Sequence, residues 1–189
     1  LDETLGDKIS QIQGVKEVIP GLADVVSFSD IGLYVVPVSG LMPETRVFDS
    51  MEPIEGRRLT KSDSRAVMIG VTLADSLGKK VGDTLEVVEG EPYEVVGIYE
   101  SFNVIQNGSL VVPLAELQRL MGRDGEVSGF SIVATDARDE QLLDQIARQV
   151  NDLETEITVR PTKDHVESLS EIQLAIAMAW LTSTVATVI

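Results

Sequence analysis

Apolar residues recur at a helical interval at the start of the chain. Leu5, Ile9 and Ile12 form one narrow stripe over residues 2–13, and Gly14 follows as a terminator. β-Branched runs then take over. Residues 15–19, 25–28 and 33–41 are separated by Pro20-Gly21 and Ser29-Asp30, which predicts three strands joined by tight turns. Residues 55–63 read as a polar connection, and 66–70 as a short apolar strand ending at Gly70. Leu73, Ala74 and Leu77 suit a brief helix closed by Gly78. Turn signals at Gly82-Asp83 and at Glu89-Gly90-Glu91 bracket a strand over 84–88, and a longer strand follows over 93–99. Residues 109–112 add another strand. Pro113 then stands where a helix carrying Leu114, Leu117 and Leu120 begins.

The texture changes again near Gly125. Residues 129–134 alternate as a strand, 139–153 place Leu142, Leu143, Ile146 and Val150 on one helical face, and 156–160 return as a strand. The fold class expected is α+β. The first and last thirds, 1–52 with 126–165, form a discontinuous α+β subdomain, and 53–125 form a smaller inserted β-rich one. Residues 172–189 carry no charge and include Leu174, Ile176, Met178, Trp180 and Leu181. About 20 apolar residues span a bilayer, so 166–189 read as a membrane-proximal helix or the start of a transmembrane one. The polar Gln173, Thr182, Ser183, Thr184 and Thr187 also suit a buried amphipathic helix. Leu1 is not an initiator Met and nothing near it resembles a signal peptide, so the chain reads as a piece of a longer protein.

Composition narrows the function classes. With 189 residues and 43% hydrophobic composition, the chain can bury a core. A net charge of -16, from 31 acidic and 15 basic side chains, repels phosphate backbones and disfavours nucleic acid. The absence of cysteine removes disulfides and thiolate chemistry without choosing a redox compartment.

Four elements in order carry a family resemblance. They are residues 54–59 (Ile-Glu-Gly-Arg-Arg-Leu), 67–74 (Val-Met-Ile-Gly-Val-Thr-Leu-Ala), 77–85 (Leu-Gly-Lys-Lys-Val-Gly-Asp-Thr-Leu) and 93–98 (Tyr-Glu-Val-Val-Gly-Ile). This series resembles the periplasmic core domain of MacB-like and FtsX-like ABC transporter permeases. The opening Ile9, Ile12, Gly14, Val15, Val18 and Pro20 fits the same pattern, as does the passage from His165 into an apolar helix. Many relatives have extra residues between the helix and the "vGd" turn, where this chain has only Lys79-Lys80.

The resemblance implies a domain lying between the first and second transmembrane helices, outside the cytoplasm, on a cell-membrane protein. It implies a non-enzymatic role that couples ATP hydrolysis by a separate ABC ATPase subunit to transport or mechanical work outside. It also implies a second permease copy in a dimer, and an outer partner drawn from adaptors, lipoproteins, peptides and cell-wall hydrolases. A ligand-binding or sensor domain of a membrane receptor is the alternative, and a soluble hydrolase the third class.

Candidate chemistry is sparse. His165 is the single histidine and therefore the one available base for a Ser-His-Asp arrangement, but Asp164 and Glu167 beside it favour a solvated helix start. There is no phosphate loop of the P-loop type. Asp136, Asp139, Glu140 and Asp144 could offer oxygens to a hard cation; a capping and helix-dipole role for the first three is the simpler reading. Arg57 and Arg58 are expected to pair with carboxylates, and Gly70, Gly78, Gly82, Gly90 and Gly97 to serve turns and a bulge. No catalytic, cofactor or metal residue is assigned. Phe102, Val104 and Ile105 follow a strand in a polar loop, where they face either the core or a partner.

Overall fold

The computed structural model describes residues 1–153 and Val159. In chain order the elements are α1 (Leu5–Ser10), β1 (Val15–Phe28), β2 (Leu33–Leu41), β3 (Glu52–Gly56), β4 (Ala66–Gly70), α2 (Val71–Leu77), β5 (Thr84–Val88), β6 (Glu91–Glu100), α3 (Val104–Asn107), β7 (Leu110–Pro113), α4 (Leu114–Met121), β8 (Gly129–Ala134) and α5 (Glu140–Leu153). The fold is α+β. One sheet runs β3-β6-β4-β7-β2-β1-β8, with β5 pairing β6 as a side branch.

Central strands are read on two faces because side chains alternate along them. Val67 and Ile69 of β4 and Leu110 and Val112 of β7 enter one cluster, with Leu73 and Ala74 of α2 and Leu114 and Leu117 of α4 over it. Met68 and Val111 point the other way, into a cluster with Leu41, Phe48, Met51, Leu59 and Tyr99. Val67, Met68 and Ile69 are wholly buried, each contributing about 1.5–3 kcal/mol. On β6 the alternation slips: Val95 and Ile98 share the first cluster, Val96 and Tyr99 the second. The cause is a register shift opposite Val67 and Met68, an extra residue that rephases the strand.

That irregularity centres on Gly97, whose partner on β3 is Gly56. A Cβ at Gly97 would strike the Arg57 carbonyl oxygen, and one at Gly56 would strike the Val96 carbonyl oxygen. The two glycines lie in separate motifs of the sequence and meet here because the backbones approach too closely for any side chain.

Three expectations need correction. Residues 15–19 and 25–28 are one continuous strand: pairing with β2 begins at Gly21, so Pro20 stands just outside that ladder and its missing N–H breaks no rung. The polar stretch near Glu55 contains edge strand β3, which lies open to solvent on most positions and therefore has no apolar alternation. The first helix is only Leu5–Ser10. The strand expected at 156–160 and the segment 166–189 lie outside the described residues. Among the described residues no helix is long and apolar enough to cross a membrane.

Two compact units emerge. The larger comprises Leu1–Gln11 and Lys16–Val133, the smaller Ile12–Val15 with Ala134–Ile189. The subdomain boundaries expected at 52 and 125 fall inside the larger unit, across which β2 of one portion hydrogen-bonds β7 of the other. In the smaller unit Ile146 and Val150 of α5 are buried, and Thr135 donates to the Gly14 carbonyl at 2.8 Å.

Candidate functional site

The loop between β6 and β7 is built from polar side chains that satisfy its own backbone. Asn107 Oδ1 accepts from the Ser101 N–H at 2.8 Å, and Asn107 Nδ2 donates to the Ser101 carbonyl at 3.0 Å. Asn103 Oδ1 accepts from the Ile105 N–H at 2.9 Å, capping α3. Ser101 Oγ donates to Gln106 Oε1 and accepts from the Asn103 N–H at 3.2 Å.

The base of this loop is fastened to the core. Tyr99, fully buried, donates its hydroxyl to the Gln106 carbonyl at 2.8 Å and lies 2.8 Å from Ser109 Oγ. Burial pushes the Tyr99 hydroxyl up to about 12. Gly70 lies beneath: a Cβ there would collide with the Asn107 and Gln106 carbonyl oxygens, so the loop can sit flush on the end of β4. Gly70 has an ordinary φ of -69° and is needed for space alone.

On this platform the three apolar residues singled out from the sequence point outward. Phe102 is 106% exposed, Val104 70% and Ile105 40%. The core-facing alternative is excluded by these values. The hairpin joining β1 to β2 stands at the same end of the sheet, since β2 runs parallel to β7 with Val38 opposite Leu110 and its earlier residues extend beyond. One extra residue on β2 between Leu33 and Val36 bulges it, placing Val35 at φ 59° and turning both Tyr34 and Val35 to solvent. Val25 and Ile31 are also exposed there. Among the described residues, seven of the twelve exposed large apolar side chains thus gather at this end: Val25, Ile31, Tyr34, Val35, Phe102, Val104 and Ile105. The hairpin members were not foreseen, because an alternating strand gives no sign of a bulge that exposes two neighbours.

The other candidates resolve as structural. Arg57 forms a two-pronged pair with Asp63 at 2.6 and 2.9 Å, and Arg58 reaches Glu52 at 3.3 Å. The Arg57 guanidinium, with the Thr60 N–H and hydroxyl, holds the Asp63 carboxyl down to about 2. Asp139, not Asp136, caps α5 by accepting from the Leu142 N–H at 3.1 Å; Asp136 closes a turn onto the Arg138 N–H at 2.9 Å. Among the described residues no three acidic or histidine side chains gather around a metal position. His165 lies outside the described residues.

A family model described as the MacB-like periplasmic core domain matches residues 1–153. The chain belongs to that family. Solved structures agree with this in fold. The periplasmic region of MacB from Actinobacillus actinomycetemcomitans superposes with a TM-score of 0.64 at 15% identity, covering 81% of this chain and 74% of that one. The extracellular domain of the noncanonic ABC-type transporter YknZ from Gram-positive bacteria gives 0.61 at 20% identity, covering 80% and 83%. No curated protein sequence matches the chain. This MacB-like core domain is therefore the extracytoplasmic domain of an ABC transporter permease, a membrane protein with this part facing outward.

Proposed function

We propose that the domain transmits movement. A separate ABC ATPase subunit hydrolyses ATP inside the cell, the membrane helices of a permease dimer shift, and this domain carries the displacement to a partner outside. The partner classes are an adaptor, a lipoprotein, a peptide or a cell-wall hydrolase, and Phe102, Val104 and Ile105 are its contact residues. The domain contributes contact and leverage rather than bond-making.

The observation that supports this reading is the exposed apolar cluster at one end of the sheet, held on a loop whose backbone is tied to buried Tyr99. Exposed apolar groups gathered at one end mark a contact surface, and a stiff support lets displacement pass without being absorbed by a mobile loop.

A photo-reactive residue in place of Phe102, in the whole transporter within its native cells, tests the reading. Crosslinks to an extracytoplasmic protein are expected, with a yield that changes when the ATPase is trapped by ADP and vanadate. A yield indifferent to nucleotide state, or crosslinks to lipid alone, removes the proposal.

A further inference from the structure

At the opposite end of the sheet, still within the larger unit, a groove of about 1020 Å³ opens beside α1. Its floor is apolar. Val18 and Pro20, two apart on β1 and so on one face, lie with Met42 and Phe130 along it. α1 can lie against this floor because residue 6 is glycine: a Cβ there would come within 3.0 Å of Phe130 Cε1 and 3.7 Å of Val18 Cγ1.

The charged side chains of the rim are all acidic. Asp2, Glu3, Asp7, Asp124 and Glu126 line it and no lysine or arginine does, while the Leu1 ammonium beside them donates to the Val127 carbonyl at 2.9 Å. Three of these carboxylates already have partners: Asp2 accepts from the Thr4 N–H at 2.8 Å, Glu3 from Gln118 Nε2 at 2.9 Å, and Glu126 from Arg123 Nε at 3.0 Å. Asp7 and Asp124 make no ion pair among the described residues.

An apolar floor under an acidic rim selects its occupant by charge complementarity. Anions are repelled, a second copy of so acidic a chain is repelled, and a small neutral apolar molecule would leave the rim unused. We propose that this groove binds a linear cationic amphipathic peptide. Its apolar side chains lie on Val18, Pro20, Met42 and Phe130, and its lysines or arginines reach Asp7 and Asp124. The site is independent of the apolar tip and does not rest on force transmission.

Fluorescence anisotropy of a labelled Lys/Leu amphipathic peptide with the full 189-residue chain provides the test. Saturable binding is expected, weakening as salt rises, with the Glu/Leu counterpart failing to bind. An Asp7→Asn/Asp124→Asn variant should bind roughly fivefold to tenfold more weakly, the loss expected for two exposed charge contacts. A Glu55→Gln/Glu89→Gln variant makes the same change in net charge away from the groove and should bind as the parent does. Equal losses in both variants would show general attraction to an acidic protein and overturn the assignment. Binding of the Glu/Leu peptide would do the same, as would self-association that excludes the peptide.

Discussion

The side-chain amide of Asn107 takes both backbone polar groups of Ser101, accepting from its N–H at 2.8 Å and donating to its carbonyl at 3.0 Å. One side chain thus does what a neighbouring strand would do at the end of β6, where the ladder stops and the exposed Phe102 follows. The arrangement makes the loop stiff without any apolar packing of its own.

Removing that amide should therefore loosen the tip selectively. Asn107→Ala leaves two partly buried backbone groups to find water, a cost of about 1–3 kcal/mol that the loop can evade by opening. Hydrogen exchange of the amides at 102–108 should accelerate several-fold while the exchange of β4 and β7 stays slow. Uniform acceleration across the sheet would contradict a local clamp.

The Gly56 and Gly97 crossing predicts a contrast between glycines. Gly97→Ala forces a methyl against the Arg57 carbonyl, and should destabilise by about 3 kcal/mol or prevent folding. Gly129→Ala, in strand β8 with nothing within 4 Å, should be neutral or slightly stabilising because it only reduces the freedom of the unfolded chain. Urea unfolding of the two variants reads the difference directly.

Asp63 predicts acid sensitivity. Its folded pKa, about 2, lies below the unfolded value, so its stabilisation is present above pH 4 and is lost as pH falls from about 4 to about 2. Arg57 is half exposed, and water around it reduces the effect to about 1–2 kcal/mol. Asp63→Asn should be less stable at pH 7 and should have a flatter stability profile between pH 4 and pH 2 than the parent. Parallel profiles would remove the pair from the account.

Alkaline pH acts in the opposite sense. Burial pushes the hydroxyls of Tyr99 and Tyr93 up to about 12, above the unfolded value near 10. Their contribution is complete below pH 10 and disappears as pH climbs from about 10 to about 12. Tyr93 adds a hydrogen bond to Glu116 at 2.8 Å, whose charge also opposes ionisation. Tyrosinate absorbance should rise together with unfolding in that window, and Tyr99→Phe should separate the two by lowering stability at neutral pH while removing one late titration.

The sequence by itself determined the α+β class, most of the strands and the motif series that marks the family, because alternating apolar runs, glycine stops and the proline before α4 are local signals. It also identified Phe102, Val104 and Ile105 as residues to watch, while leaving open which way they face. Only the tertiary structure decided that. Direction depends on Tyr99, near the end of the strand before the loop, and on Gly70, about thirty residues earlier in the chain, which together seat the loop on the sheet. Edge strand β3 and the close approach of Gly56 to Gly97 were equally beyond local reading. A strand exposed on its faces lacks the pattern that burial imposes, and a glycine required for space resembles one required for a turn until the opposing backbone is in place.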